Sequence, residues 1–313
     1  MLSETRLDQI LDLAPSLILG VLGDLFLDRY LDIDAALNEP SVETGLDAYQ
    51  VVGVRSYPGA AGTVINNLTA LGVKQVYAIS VIGDDGEGYE LLQALAKQQR
   101  VHTDWIYRVT GNQFRTPTYT KPMFQEAGRP PRELNRLDIK NLTPPRPPYD
   151  EKILQALGET WPVLDALLVL DQVSRAECGV VTTRVRECLA ELGASNPDKV
   201  ILADSRERIG LFRSVWLKPN QAECMRAVNA STPVEECVAE LARRAGRPVF
   251  CTRGDQGIWL VDPRPASRQS VVVPAYPVTG PIDVVGAGDS TSAGIASSCL
   301  SWLTCADSSR TSF

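Results

Sequence analysis

Asp283-Val284-Val285-Gly286-Ala287-Gly288-Asp289 leads directly into a run of small residues, 290–298, and its reading decides how the rest of the chain is taken. Two glycines around an alanine let successive backbone N–H groups turn toward one point, and a helix starting there adds the positive end of its dipole. Such a place suits a phosphoryl group, whose oxygens carry negative charge during transfer. Asp289, in the first turn of that helix, is the candidate proton acceptor, and Gly286, Ala287 and Gly288 form the candidate anion hole. The same residues also describe an ordinary capped helix after a glycine turn, so the motif needs support from elsewhere in the chain.

Support comes first from the pattern of apolar residues. Runs rich in Val, Ile and Leu at 76–82, 166–170, 200–203, 215–217 and 249–251 predict buried strands. Between them, apolar residues recur at three and four positions over 86–99, 178–192 and 234–245, which predicts helices. This alternation implies an α/β fold, a doubly wound, largely parallel sheet with helices on both faces. Ligands of such sheets gather at the carboxyl ends of the strands, where Asp24, Asp171, Asp204 and Asn220 fall. Two segments, 32–57 and 114–138, break the alternation.

Composition narrows the chemistry. At 313 residues, 44% hydrophobic and 22% charged, the chain is long enough for a substantial core and has the balance of a soluble globular protein. A net charge of −7 without a basic stripe argues against nucleic acid as a partner. The apolar run 17–22 is too short to span a bilayer and lacks a basic flank, so no membrane role and a cytoplasmic location are expected. Seven cysteines include no CxxC pair, and His102 is the only histidine. Ser-His-Asp catalysis and two-histidine metal sites are thereby set aside, and a carboxylate must supply the base.

Four further stretches fit the opening one. The run 17–22 closes on Gly23-Asp24, with Asp28-Arg29-Tyr30 soon after; Pro58-Gly59-Ala60-Ala61-Gly62-Thr63 runs on to Asn66-Asn67. Asn220-Gln221-Ala222-Glu223 follows Leu217-Lys218-Pro219, and Thr252-Arg253-Gly254-Asp255-Gln256-Gly257 comes next. Together, in this order over residues 17–300, these motifs resemble the ribokinase-like, or PfkB-type, carbohydrate kinases. Ser41-x-Glu43, Thr118-x-Thr120-Lys121, Arg136-Leu137-Asp138 and Leu170-Asp171 are most similar to the kinase module of the bacterial heptose-phosphate kinase and adenylyltransferase group.

The resemblance implies a ribokinase-like kinase domain over 1–300 and a small β lid built from about 32–57 and 114–138 that closes over a sugar and meets a second subunit in a homodimer. It implies transfer of the ATP γ-phosphoryl to a hydroxyl of a sugar or sugar phosphate, with Mg²⁺. Asp24, Asp28, Gly59, Asn67 and Asp171 would bind the acceptor, and Lys121 or Arg136 would meet a substrate phosphate. Asn220, Glu223, Thr252, Gly254 and Gly257 would serve the nucleotide, with Asn220 and Glu223 ordering Mg²⁺ through water. Asp283 would hold a monovalent cation or orient the glycine loop. Three departures are visible: Val285 replaces the usual threonine, Thr63 stands where the heptose-type pattern has asparagine, and 301–313 reads as an irregular tail, as though the C-terminal end were truncated. A catalytically silent sugar or nucleotide binder, or an inactive truncated kinase, is the alternative. A nicotinamide dehydrogenase is disfavoured because Gly20-Val21-Leu22-Gly23-Asp24 lacks the full Gly-x-Gly-x-x-Gly fingerprint.

Overall fold

The computed structural model describes residues 3–111, 113–145, 149–228, 232–264, 270–277, 280 and 285–308, with side chains through residue 298. The strand Ile18–Gly23 lies at its centre, paired in parallel with Ala166–Asp171 on one side and Gln75–Gly83 on the other. Beyond Ala166–Asp171 the sheet continues in parallel through Val200–Ser205, Trp216–Leu217 and Val249–Thr252. It ends in two antiparallel strands, Ile258–Val261 and Ser270–Val273. Val101–His102 and Ile106–Val109 line the far side of Gln75–Gly83.

Alternate residues of the strands feed two cores. Leu167 and Val169 face the helices Asp150–Thr160, Thr183–Ser195 and Val234–Ala245; Ala166, Leu168 and Leu170 face Ala61–Ala70, Gly86–Ala96 and the helix Ala287–Ser308. Burial on both sides is why the strands read as continuous apolar runs. The sheet is thus the expected one. No described helix is long and apolar enough to cross a membrane.

A second sheet of five strands rises from the carboxyl edge of the first. Leu25–Asp34 lies at its middle, parallel to Thr118–Gln125 and antiparallel to Val51–Ala60, with Arg132–Glu133 and Leu137–Ile139 completing it beside Thr118–Gln125. This sheet, which takes the name of the expected lid, has its first strand directly after Asp24 rather than near residue 32. The strand was obscured by its charges, Asp28, Arg29, Asp32 and Asp34. Three of these are neutralised across the fold: Asp28 by Lys121 at 2.9 Å, Asp32 by Arg55 at 2.7 Å, and Arg29 by Glu90, whose Oε2 accepts from Arg29 Nε at 3.0 Å.

Two helix boundaries also move. The helix expected over 178–192 begins at Thr183, because Thr182 Oγ1 accepts from Val185 N at 3.3 Å and caps it, leaving 178–182 as loop. The helix after the glycine run continues through Ser308, so residues 301–308 are helical rather than irregular. Nothing there stops a helix: neither glycine nor proline follows Gly294 within it. Residues 309–313 lie outside the described residues.

Candidate active site

The helix Ala287–Ser308 starts from Gly286, whose φ of +78° is the left-handed value that favours glycine. Gly286 O accepts from Ser290 N at 2.9 Å, closing the first turn and leaving the leading N–H groups without intrahelical partners. Small residues let this helix sit close to Ala61–Ala70. Asn67 Nδ2 donates to Ser290 Oγ at 3.2 Å, and a Cβ on Gly286 would lie 3.6 Å from the Thr63 methyl. Asn67 and Thr63 therefore stand at the mouth of the glycine run, which brings the second and last motifs together. Asp283 lies outside the described residues.

Beneath the helix start is a buried ion pair. Lys218 is 3% exposed and its Nζ lies 2.8 Å from Asp204 Oδ2. The same ammonium would be 3.6 Å from a Cβ on Gly288. Burial, and then the charge of Asp204, raise the Asp289 carboxyl to about 6, with Lys218 and Arg206 pulling in the opposite direction. A carboxylate poised in that range can take a proton near neutral pH. Asp204, Lys218 and Arg206 shape this electrostatics. Only Asp204 was marked in the sequence as a strand-end carboxylate; the two cations carried no signal beyond lying just past buried strands.

Asn220 and Glu223 cap the helix Gln221–Val228 reciprocally. Asn220 N donates to Glu223 Oε2 at 2.8 Å and Glu223 N donates to Asn220 Oδ1 at 2.9 Å. Burial pushes the Glu223 carboxyl up, with the Asn220 N–H opposing and Asp204 adding to the rise. Asn220 also bridges to Thr252 at the end of Val249–Thr252. Thr252, Gly254 and Gly257 in turn line a cavity of about 350 Å³ whose other wall is Ala287, Gly288 and Thr291. Gly257, at φ +82°, has no room for a side chain, since a Cβ would strike Val273 O. The stretch from Thr252 to Gly257 and the glycine run therefore share one cleft.

On the lid side, Asp28 and Gly59 meet: a Cβ on Gly59 would collide with Asp28 Oδ2. Lys121 is half-buried against Asp28 and donates to Tyr30 Oη at 3.1 Å; burial alone would lower its ammonium, but these partners raise it overall. Phe26, two residues from Asp28, packs edge-on to Tyr119 at 5.2 Å. These rings open a second cavity of about 400 Å³ between lid and body, with Arg136, Lys140, Arg175 and Arg206 around it. Arg136 stacks 4.2 Å over Tyr119 and pairs with Asp138 at 2.6 Å.

Two expected acceptor ligands are instead used by the protein. Asp171 is fully buried and takes a fork from Arg208, at 3.1 Å from Nε and 2.5 Å from Nη2, plus the Ser205 hydroxyl at 2.6 Å. Asp24 is 3% exposed and both its oxygens accept backbone N–H groups, from Gln172, Val173 and Val180. At strand ends, buried carboxylates that find fixed donors inside the fold are satisfied there, and neither residue is among those that line the cavity.

Residues 167–311 match the pfkB family carbohydrate kinase. The bifunctional protein HldE of Gluconobacter oxydans is 28% identical over 286 residues, covering 88% of this chain and 55% of its own length. HldE of Hyphomonas neptunium is 28% identical over 299 residues, covering 93% and 57%. The chain thus spans about half the length of the curated relatives it matches. Among solved structures, Arabidopsis thaliana ribokinase complexed with ribose and ATP superposes with a TM-score of 0.60 at 16% identity, over 92% of this chain and 86% of that one. Escherichia coli phosphofructokinase-2 in complex with fructose-6-phosphate gives 0.57 at 18%, over 91% and 87%. The fold is ribokinase-like.

Proposed function

We propose that this chain is a sugar kinase of the pfkB type that transfers the γ-phosphoryl group of ATP to a hydroxyl of a sugar phosphate, with Asp289 as base, a reading supported by its likeness to that family. The observation that carries the reading is the shared cleft: Thr252, Gly254 and Gly257 face Ala287 and Gly288 across one cavity, at the start of the helix that bears Asp289. ATP would lie along that cavity with its γ-phosphoryl at the helix start. The acceptor would lie toward the lid, its hydroxyls on Asp28 and Asn67.

In the reaction, Asp289 takes the proton of the attacking hydroxyl as its oxygen bonds to phosphorus and the bond to the ADP oxygen breaks. The N–H groups of Gly286, Ala287 and Gly288 hold the charge on the transferring group, and Lys218 lies beneath them. The donor set suits Mg²⁺: Glu223 and Asn220 offer oxygens, and Mg²⁺ keeps most of its waters rather than requiring a protein cage. When bound, that ion neutralises phosphate charge. Asp283 would hold a monovalent cation or orient the glycine loop. An acceptor phosphate is favoured because Arg136, Lys140, Arg175 and Arg206 surround the second cavity. ATP as donor implies a cytoplasmic protein, and the exposed lid edge implies a homodimer.

The test is acceptor-dependent ADP release with Mg²⁺-ATP across paired sugars and sugar phosphates, beside Asp289→Asn. Release that prefers a phosphorylated acceptor and drops by about 10³ or more in the variant is expected. Binding of both ligands without Asp289-dependent release would instead favour a silent binder, and preference for the neutral sugar would remove the phosphate subsite.

A further inference from the structure

Asp24 joins four parts of the molecule without facing either cavity. Its N–H donates to Leu170 O at 3.0 Å, at the end of one central strand, and its carbonyl accepts from Ala61 N at 3.0 Å, at the root of the lid. Its side chain collects three more bonds: Oδ2 accepts from Gln172 N at 2.7 Å and Val173 N at 3.0 Å, and Oδ1 accepts from Val180 N at 2.7 Å. Gly179 packs so tightly that a Cβ there would stand 2.7 Å from Asp24 Oδ1.

The segment so held, 172–180, has no helix or strand of its own. Its first residues, Gln172 to Arg175, form a wall of the cavity between lid and body. Arg208 steadies it from the other side by donating to Ser174 O at 2.9 Å, and Tyr149 Oη donates to Gly179 O at 3.1 Å. A segment without its own ladder takes its shape from such side-chain bonds.

We propose that Asp24 is a positioning residue that fixes the 172–180 segment and, through its own main chain, ties that wall to the root of the lid, so that the acceptor cavity is shaped in advance. The proposal rests on the reading of that cavity as the acceptor's place. Only a carboxylate suits the position, because donors converge on both oxygens; an asparagine offers one acceptor oxygen and turns an NH₂ against at least one N–H. Protonation does the same to one oxygen. Burial first, and then the charge of Asp171, raise the Asp24 carboxyl to about 6, with the three N–H groups opposing. The other ionisable groups facing it are Arg208, which Asp171 holds, and the Tyr149 phenol.

The experiment compares wild type, Asp24→Asn and Gly179→Ala in steady-state kinetics with the best acceptor, as a function of pH. In both variants the acceptor KM should rise by about tenfold or more while the ATP KM holds. In wild type the acceptor KM should climb as pH falls through about 6, and Asp24→Asn should lose that dependence while keeping the kcat inflection of Asp289. An unchanged acceptor KM in Asp24→Asn, or acceptor and ATP KM rising together, overturns the proposal. Should Asp24→Asn not fold, Gly179→Ala and the wild-type pH profile decide. Hydrogen exchange distinguishes the two possible failures. If wild type transfers to no acceptor, the functional reading fails; protection of the Gln172, Val173 and Val180 amides that survives in Asp24→Asn defeats the positioning role itself.

Discussion

Burial and the Asp204 charge hold the Asp289 carboxyl near 6, above its ordinary 3.8, so the fold favours its protonated form while a base must be ionised. The stabilising contribution is full below about 3.8 and is lost as pH rises through 6. Asp289→Asn should therefore be more stable than wild type near neutral pH, by on the order of 1–3 kcal/mol after allowance for partial exposure, with the gain vanishing in acid. Thermal melts at neutral and acid pH check this, and equal melting at both would contradict it. Wild-type kcat should fall about tenfold per pH unit below 6 for the same reason. Ala60 is a second residue under tension: at φ 53° and ψ −117° it occupies a conformation suited to glycine, at the turn between lid and body. Ala60→Gly should raise stability by about 1 kcal/mol in urea unfolding, the relief of strain outweighing the added freedom of the unfolded chain. A loss would mean the turn is not strained.

At the level of elements, lid and body are joined by the cluster in which Glu90 Oε2 accepts from Arg29 Nε at 3.0 Å and from Ser56 Oγ at 2.8 Å. Arg29→Ala should loosen this clasp and raise the acceptor KM several-fold at a stability cost of about 1 kcal/mol. Unchanged kinetics would show that the lid's position does not depend on it. The strand carrying Arg29 also shows where the sequence stopped being legible. The parallel strands announced themselves because burial on both faces demands unbroken Val, Ile and Leu. Leu25–Asp34 did not, since its charges find partners on Val51–Ala60, Thr118–Gln125 and a helix, all distant in the chain. The site divides in the same way. Local backbone motifs such as the glycine run and the Asn220–Glu223 pair were readable, whereas the fates of Asp24 and Asp171 depended on Val180 and Arg208, whose proximity only the fold creates.

For the whole molecule, the lid ends in an edge, Val51–Ala60, with Val52 and Val54 exposed at 61% and 58%. Exposed apolar edges of this kind invite pairing with another strand, and a second copy of the lid offers a matching one. Val54→Glu should shift sedimentation from dimer to monomer; a wild type that sediments as monomer at all concentrations would refute the lid dimer. The central strand has a different consequence, for how the chain is made. Ile18 N donates to Asp165 Oδ2 across 147 residues, and Ile18–Gly23 pairs with Ala166–Asp171 along that side. At ordinary ribosomal speeds, that side of the strand stays bare for roughly 7–30 s after it is synthesised. During that interval the nascent chain presents an apolar sheet edge to its surroundings, which leaves it open to aggregation until the middle of the sheet arrives.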